Sequence, residues 1–191
     1  MIDHFRFAAP IYDRVLGPPN TDRLKRLLNL PVPGWLLDAG GGTGRVSAPL
    51  ASWTGRLATA DVSLPMLRRA RSKPLFPIGA GAERLPFAEG TFHRVLVVDS
   101  LHHFSDPVRS LAEFFRVLKP GGRLLIEEPD IRRVAVKMAA LGEKLLLMGS
   151  RFLPPAEIMN QCAAAGFSAR IAETDLFRVW IIGDKPVTPI L

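Results

Sequence analysis

Near the N-terminal end of the sequence, a short apolar segment ends in a carboxylate and continues directly into a glycine cluster. The segment is Trp35-Leu36-Leu37-Asp38, and glycines follow at positions 40, 41, 42 and 44. Glycine adopts positive φ without strain and lets a ligand approach the backbone closely, so the pattern predicts a strand that ends in a ligand-binding turn. Val46, Leu50 and Trp53 recur at near-helical spacing and predict a helix after the turn. Strand, turn and helix together form the first unit of a doubly wound α/β fold.

The spacing of the glycines separates two classes of ligand. The dinucleotide fingerprint G-x-G-x-x-G fails, because a start at Gly40 puts Arg45 where the third glycine should stand. A carboxylate beside the turn, Asp38, would repel the pyrophosphate of a dinucleotide, but it suits a ligand that carries an ammonium or sulfonium charge. The residues therefore point to S-adenosylmethionine and disfavour a nicotinamide dinucleotide.

This stretch resembles motif I of the class I S-adenosylmethionine-dependent methyltransferases. Four further segments match the family in the expected order: 60–63 (ADVS), 81–87 (GAERLPF), 99–107 (DSLHHFSDP) and 116–122 (RVLKPGG). The likeness covers roughly residues 35–130 and looks most like the type 11 group, which includes ubiquinone and menaquinone biosynthesis enzymes. It implies a three-layer α/β sandwich with a Rossmann-like, seven-stranded, mostly parallel sheet, in which a C-terminal hairpin supplies one antiparallel strand.

The resemblance also implies a set of cofactor-binding residues. Asp61 ends the second strand, where an acid accepts hydrogen bonds from ribose hydroxyls, and Met66 would pack on the adenine. The family usually has an aspartate just before the Ala-Glu pair, whereas this chain has Gly81. Such a lost hydrogen bond costs about 0.5–1.5 kcal/mol, which weakens binding without excluding the cofactor. The predicted cofactor-binding residues are Asp38, Gly40, Gly41, Gly42, Thr43, Gly44, Asp61, Val62, Met66, Ala82, Glu83 and Asp99.

Two adjacent histidines are the candidate catalytic residues. His102 and His103 follow the apolar strand predicted over 95–98, and open α/β folds bind ligands at the carboxyl edge of the sheet. Either imidazole could take a proton from an incoming nucleophile, although family members carry similar histidines without a catalytic duty. We expect no metal, because adjacent histidines point apart and no Cys or His cluster has ligand spacing.

The chain is predicted to form one domain over residues 1–191, with a helical N-terminal cap over 1–30. Within the cap, a helix is predicted over 21–29 with Asn20 or Thr21 as its N-cap, and Tyr12 is a candidate for lining the site. Further strands are predicted over 56–61, 75–79, 95–98 and 123–128, helices over 107–118 and 156–165, and a hairpin over 167–173 and 177–182.

Residues 129–155 are an insertion before the last helix and predict a lid. Apolar side chains recur there at near-helical spacing between basic residues, among them Lys137 and Met138, which are candidate substrate contacts. Such a segment suits a hydrophobic small molecule with an acidic or phenolic group, and it allows peripheral contact with an anionic membrane. The same pattern also fits a core-packing or dimer helix, so the oligomeric state, monomer or dimer, stays open.

Composition limits the remaining possibilities. The 191 residues are 48% apolar and 23% charged, which is ordinary for a globular domain. The N-terminus has no leader-like apolar region, no run of eighteen apolar residues is present, and Cys162 is the single cysteine, so a cytoplasmic location is expected. The net charge of +7 attracts anions in general. No Asn-Pro-Pro-Tyr-like base pocket follows the fourth strand, so no specific nucleic-acid partner is expected.

The function expected from the sequence is methyl transfer from S-adenosylmethionine to a small, hydrophobic molecule. This reaction is a direct displacement in which the protein mainly aligns the nucleophile and excludes water, so the chain needs no covalent catalyst. Two alternatives remain open at this point. One is a non-catalytic S-adenosylmethionine-binding or scaffold protein, which Gly81 leaves possible, and the other is a nicotinamide-dependent oxidoreductase.

Overall fold

The computed structural model describes residues 18–133, 136–137 and 151–187. Along the chain, the elements are α1 (Thr21–Leu28), β1 (Val32–Ala39), a 3₁₀-helix (Ala48–Trp53), β2 (Thr54–Asp61), α2 (Leu64–Ala70), β3 (Phe76–Gly79), β4 (Phe92–Val98), a second 3₁₀ segment (Leu101–His103), α3 (Pro107–Val117), β5 (Leu118–Pro129), α4 (Pro155–Ala164), β6 (Ser168–Thr174) and β7 (Arg178–Asp184).

The strands form a single sheet in the order β3-β2-β1-β4-β5-β7-β6. Pairings among β1 to β5 are parallel, and β7 runs antiparallel to both β5 and β6. The predicted mostly parallel sheet with one antiparallel strand is therefore confirmed. The strand order reverses between β1 and β4, and open α/β sheets bind their ligands at the carboxyl ends of the strands beside such a point.

Helices cover both faces of the sheet because the central strands are apolar on both sides. Leu36 and Leu37 of β1 are both fully buried, and they belong to the two opposite cores. The core on one face contains residues of α1, the first 3₁₀-helix and α2, and the other contains residues of α3 and α4. This arrangement is the predicted three-layer sandwich.

The helix predicted from Val46, Leu50 and Trp53 is a short 3₁₀-helix, Ala48–Trp53, and not an α-helix. Gly44 has φ +69°, which takes the backbone out of the helical region. Pro49 lacks an N–H group and cannot donate to a carbonyl of the preceding turn. Leu50 is fully buried as the pattern required, whereas Trp53 is 39% exposed.

Strand β5 begins at Leu118, five residues before the predicted start at Arg123. Its first residue pairs with Phe92, and the register then shifts before the pair Arg94–Arg123. Gly121, at φ +74°, lies in this irregular stretch. A helix-ending Lys-Pro-Gly-Gly segment can therefore also form the irregular start of a strand.

The predicted helix starts are confirmed. The Asn20 side chain accepts a hydrogen bond from Arg23 N, and the Asp106 side chain accepts one from Arg109 N. The Tyr12 and Met138 predictions lie outside the described residues, as does most of the predicted lid, while Lys137 is described and exposed. Within the described ranges, no helix combines the length and apolar character needed to cross a membrane.

Candidate active site

The glycine turn is held against the end of β2 by backbone hydrogen bonds. The N–H groups of Gly40 and Gly41 both donate to the Ala60 carbonyl, at 2.8 and 3.3 Å. Gly40, Gly42 and Gly44 have φ between +55° and +69°, so each adopts a conformation that favours glycine. A Cβ at Gly41 would lie 2.3 Å from a carboxylate oxygen of Asp38. The turn therefore packs directly on the carboxylate that precedes it.

Asp61 is fixed at the carboxyl end of β2 by two backbone donors. Gly42 N donates to Oδ2 at 2.8 Å, and Ser63 N donates to Oδ1 at 2.7 Å. Asp61 thus ties the glycine turn to the second strand, and its carboxylate lies at the edge of the sheet where the sequence predicts a ribose-binding acid.

Asp38 is a buried acid at the base of the same turn. It is 1% exposed, and its Oδ2 has no hydrogen-bond partner among the described residues. Burial raises the pKa of Asp38 to about 7, and the nearby Asp61 carboxylate acts in the same direction. A cationic group bound near Asp38 would relieve this cost and favour its ionised form. The residue therefore suits a ligand with a positive charge.

A cavity of about 440 Å³ opens at this edge of the sheet. Most of the predicted cofactor-binding residues line it: Asp38, Gly40, Gly41, Gly42, Asp61, Val62, Met66, Ala82, Glu83 and Asp99. Thr43 and Gly44 do not. Thr43 is buried, with its carbonyl accepting a hydrogen bond from Lys73 Nζ at 2.8 Å, and Gly44 packs against Leu75. Their contribution is to the shape of the turn.

Glu83 occupies the space that a side chain at Gly81 would take. A Cβ built on Gly81 would lie 2.8 Å from Glu83 Oε2. The other oxygen, Oε1, accepts hydrogen bonds from Ser105 N at 2.8 Å, from Ser105 Oγ at 2.7 Å and from Asp106 N at 3.3 Å. The carboxylate usual at position 81 in the family is missing, but the Glu83 carboxylate lies beside the same point of the cavity wall.

Glu128, at the end of β5, organises the loop that follows β4. The residue is 3% exposed, and its Oε1 accepts hydrogen bonds from the N–H groups of Ser100 and Leu101 at 2.9 and 2.8 Å. Its Oε2 lies 2.5 Å from His102 Nδ1, and the His102 ring stacks on Phe152 with centroids 4.3 Å apart. His102 is therefore part of a buried polar cluster and does not line the cavity.

His103 does line the cavity. Burial, together with the neighbouring His102, lowers the pKa of His103 to about 3, so its imidazole is neutral at physiological pH. The two rings do not point apart, since their centroids are 4.1 Å from each other. In the part of the chain that the structure describes, no group of three or more Asp, Glu, His or Cys side chains could hold a metal ion.

A second cavity of about 250 Å³ adjoins the first, and sequence reasoning missed its key residue, Arg178. Arg178 begins β7, and its Nη1 lies 2.8 Å from each Asp99 oxygen and 2.7 Å from Glu127 Oε1. Trp180 Nε1 donates to Glu127 Oε2 at 2.9 Å. The signal available in the sequence was an arginine at the start of an otherwise apolar strand, which only the sheet order places beside Asp99.

The first cavity fits S-adenosylmethionine on the chemistry of its donors and acceptors. The partnerless Asp38 oxygen suits an ammonium group, Asp61 presents acceptors for ribose hydroxyls, and Met66 offers an apolar, polarisable contact for a base. At Gly42, a Cβ would have Asp61 Oδ2, at 3.8 Å, as its nearest described neighbour, so the backbone there is open to a ligand. The chemistry of S-adenosylmethionine thus matches the residues that line the first cavity.

Comparisons with known proteins find methyltransferases. Residues 37–126 match the family model described as a methyltransferase domain. The chain is 41% identical over 105 residues to the ubiquinone/menaquinone biosynthesis C-methyltransferase of Klebsiella pneumoniae, covering 49% of this chain and 41% of that protein. It is 37% identical over 133 residues to the demethylmenaquinone methyltransferase of Renibacterium salmoninarum, covering 65% and 56%. The chain therefore spans only about half the length of these relatives.

A solved structure shares nearly the whole fold. The S-adenosylmethionine-dependent methyltransferase of Thermotoga maritima, described as a possible histamine N-methyltransferase, superposes with a TM-score of 0.76 over 95% of this chain and 97% of its own. The sequence identity is 24%, so this similarity concerns the fold alone.

Proposed function

We propose that the chain is a class I S-adenosylmethionine-dependent methyltransferase, and that it transfers a methyl group from S-adenosylmethionine to a small, hydrophobic molecule. The observation that carries the proposal is the 440 Å³ cavity, in which the glycine turn, Asp38 and Asp61 meet the end of β4. A recognition element for each part of the cofactor thus lies beside the loop that holds His103.

Each residue around the cofactor cavity has a defined task in this proposal. Asp61 accepts hydrogen bonds from the ribose hydroxyls, while the N–H groups of the glycine turn donate to Ala60 and Asp61 at the end of β2. Asp38 neutralises the ammonium group and is ionised when that charge is present. Glu83 and Ala82 face the adenine edge, and Met66 packs on the ring. The bound cofactor supplies a methyl group on a sulfonium, which leaves as a neutral thioether.

The loop after β4 completes the site. Glu128 holds the backbone of Ser100 and Leu101, so the position of the cavity wall does not depend on the acceptor. His103, neutral at physiological pH, can accept a hydrogen bond or a proton from the acceptor. The remaining work is alignment of the nucleophile and exclusion of water. Its geometry makes His103 the better candidate for a catalytic residue than His102.

The acceptor class is inferred from the named relatives and from the sequence of the 129–155 segment. One relative is named for ubiquinone/menaquinone biosynthesis and the other for demethylmenaquinone, and the sequence of the 129–155 segment combines apolar with basic residues. We therefore infer a hydrophobic acceptor with an acidic or phenolic group, contacted by Lys137 and Met138, and peripheral contact with an anionic membrane. The protein acts as a monomer or dimer, without a specific nucleic-acid partner.

Calorimetric titration of the purified protein with S-adenosylmethionine, S-adenosylhomocysteine and NAD tests the cofactor. We expect micromolar binding of S-adenosylhomocysteine and no measurable binding of NAD, because the Asp38 carboxylate would repel a pyrophosphate bound at the glycine turn. Tighter binding of NAD than of S-adenosylhomocysteine would overturn the proposal in favour of an oxidoreductase. Binding of the cofactor without turnover on any acceptor would favour a scaffold role.

The acceptor is tested with a panel of phenols, quinols and polar amines. Replacement of Lys137 and Met138 by alanine should lower activity on the preferred acceptor, whereas Arg71→Ala, at an exposed site after α2, should not. A preference for small polar amines, or unchanged activity in the double variant, would contradict the lid.

A further inference from the structure

The second cavity is connected to the first. Arg45, Val46, Val98 and Asp99 line both of them, so a molecule seated in the second cavity borders the cofactor site along this shared wall. The two differ in character. The second cavity is lined by three arginines and three carboxylates, together with apolar groups that include the Trp180 indole. The second cavity thus presents charged side chains and an indole beside the proposed methyl-transfer site.

Arg178 is held rigidly on one side only. Nη1 faces three carboxylate oxygens, two from Asp99 and one from Glu127, all within 2.8 Å. No described residue accepts a hydrogen bond from its Nε or Nη2, and the side chain is 35% exposed. A guanidinium has five N–H donors in a planar fork, so donors remain for a ligand.

The surroundings fix this guanidinium in place. Glu127 is held in turn by the indole of Trp180, which is 2% exposed. Arg23 lies over the same indole, with Cζ 4.1 Å from the ring centroid, and it pairs with Glu173 at 3.2 Å. The orientation of Arg178 is therefore set by neighbours on α1, β5 and the loop after β4. Binding a ligand would need little ordering of the arginine itself.

The charges select the kind of ligand. Asp99, Glu127 and Asp175 balance the three arginines, so a phosphate or other dianion would meet repulsion from the carboxylates as well as attraction. A single weakly acidic oxygen, such as a phenol or an enol, can accept from the free donors of Arg178 without a large net charge. The Trp180 indole, Val46 and Val98 offer apolar surface to a ring that carries this oxygen.

We propose that the second cavity seats the methyl acceptor, and that Arg178 binds an acidic hydroxyl oxygen on its ring. This inference rests on the proposed methyl transfer. Arg178 would act as the specificity residue for the acceptor, while the glycine turn and Asp61 recognise the cofactor. Asp99 and Glu127 are positioning residues, because they hold the guanidinium and leave its other donors to the ligand.

The test compares two probes on protein saturated with S-adenosylhomocysteine. The probes are 2-hydroxy-1,4-naphthoquinone and 1,4-naphthoquinone, which differ by the acidic hydroxyl. We expect the hydroxylated probe to bind about tenfold to a hundredfold more tightly, because a hydrogen bond to a charged group is gained. Arg178→Gln should abolish this preference, and Arg178→Lys, which keeps the charge but loses the fork, should reduce it.

Arg170→Gln is the matched control. Arg170 also pairs with a carboxylate, Asp184 at 2.9 Å, but it lies on β6, lines neither cavity, and is 53% exposed. The control should keep the full preference, and all variants should bind S-adenosylhomocysteine within threefold of the unmodified protein. Should Arg178→Gln fail to fold, the preference measured in Arg178→Lys decides.

Retention of the full preference in the Arg178 variants would overturn this inference. So would equal affinity for the two probes, absence of binding of either, or competition of the hydroxylated probe with S-adenosylhomocysteine. In each of these cases, bound S-adenosylhomocysteine leaves the proposed methyl transfer standing. Failure of the unmodified protein to bind S-adenosylhomocysteine at all would instead overturn both.

Discussion

The two flanks of the cofactor cavity are built in different ways. On one flank, Asp38, the glycine turn and Asp61 lie within a single β-turn-β unit, and the hydrogen bond from Gly42 to Asp61 spans 19 positions. On the other flank, Asp99 and Arg178 are 79 positions apart, and they meet because β4, β5 and β7 are neighbours in the sheet. The proposed cofactor site is thus local in the sequence, whereas the proposed acceptor site depends on the strand order.

The largest expected effect separates the two flanks. Asp61→Ala should weaken S-adenosylhomocysteine binding by about 10²-fold to 10⁴-fold, because two hydrogen bonds to a charged group are lost at about 1.5–3 kcal/mol each. The turn also loses its link from Gly42 to β2. Calorimetric titration measures the change.

Glu127→Gln is the comparison on the other flank. Glu127 lines only the second cavity, so S-adenosylhomocysteine affinity should stay within threefold. Equal losses in Asp61→Ala and Glu127→Gln would break the division of the site into a cofactor flank and an acceptor flank.

The next effect concerns stability and pH at Asp38. Its pKa is raised from 3.8 to about 7 by burial, so the folded protein binds more protons than the unfolded chain between these values. Ionisation of Asp38 therefore lowers stability as pH rises through this window. Asp38→Asn removes that cost and should raise the free energy of unfolding by up to roughly 4 kcal/mol at pH 8, and by less than about 2 kcal/mol at pH 5.

Urea denaturation of both proteins at pH 5 and pH 8 measures this difference. The same variant should bind S-adenosylhomocysteine more weakly at pH 8, since the ammonium group loses its counter-charge. In the unmodified protein, that affinity should fall as pH drops below about 7, where Asp38 is protonated. A stability gain that is equal at both pH values would mean that Asp38 does not titrate in this window, because its pKa in the folded protein would then lie below pH 5.

The same contrast explains how much the sequence could predict. Strand ends, caps and the glycine turn follow from local rules, and Asp61, Met66 and Glu83 all line the predicted cavity. The helix predicted after the turn is a 3₁₀-helix, because the periodicity of Val46, Leu50 and Trp53 fits the burial of a short 3₁₀ segment as well as it fits an α-helix. The apolar pattern alone does not distinguish a 3₁₀-helix from an α-helix, whereas Gly44 and Pro49 favour the shorter helix.

Residues on the acceptor flank could not be predicted because their roles depend on strand order. Glu128 was no more than the last residue of a predicted strand, yet it fixes the loop after β4 through two backbone N–H groups and His102. Arg178 carried no motif at all. Pairing of β5 with β7 places Arg178 opposite Pro129, close to the end of β4. A motif search detects neither the contact of Glu128 with the loop after β4 nor the contact of Arg178 with Asp99.

The histidine pair gives a smaller effect and tests the acceptor flank itself. His102→Ala leaves Glu128 Oε2 buried without this partner, so the free energy of unfolding should fall by about 3 kcal/mol. Turnover per folded molecule should then be nearly unchanged.

His103→Ala should show the opposite pattern. Loss of a group that orients the acceptor should lower turnover about tenfold, with little change in stability or in S-adenosylhomocysteine affinity. A base with a pKa of about 3 gains little from proton transfer near neutral pH. A loss of 10²-fold or more would identify His103 as a general base, and a stability loss with normal turnover would assign it to packing.

The smallest effect lies on the proposed cofactor flank and concerns position 81, where the resembling methyltransferases usually have an aspartate and this chain has glycine. Gly81→Asp introduces the usual carboxylate, but its Cβ would lie 2.8 Å from Glu83 Oε2. Glu83 must then shift, which weakens its hydrogen bonds from Ser105 and Asp106, and the two carboxylates repel each other. S-adenosylhomocysteine affinity should therefore fall about fivefold, or about 1 kcal/mol. Gly81→Ala measures the steric part of this loss of affinity alone. In Gly81→Asp/Glu83→Ala the two carboxylates no longer compete for space. The loss of affinity in this double variant should therefore be smaller than the sum of the losses in the two single variants. Tighter binding in Gly81→Asp alone would contradict the role of Glu83 as the carboxylate at the adenine edge.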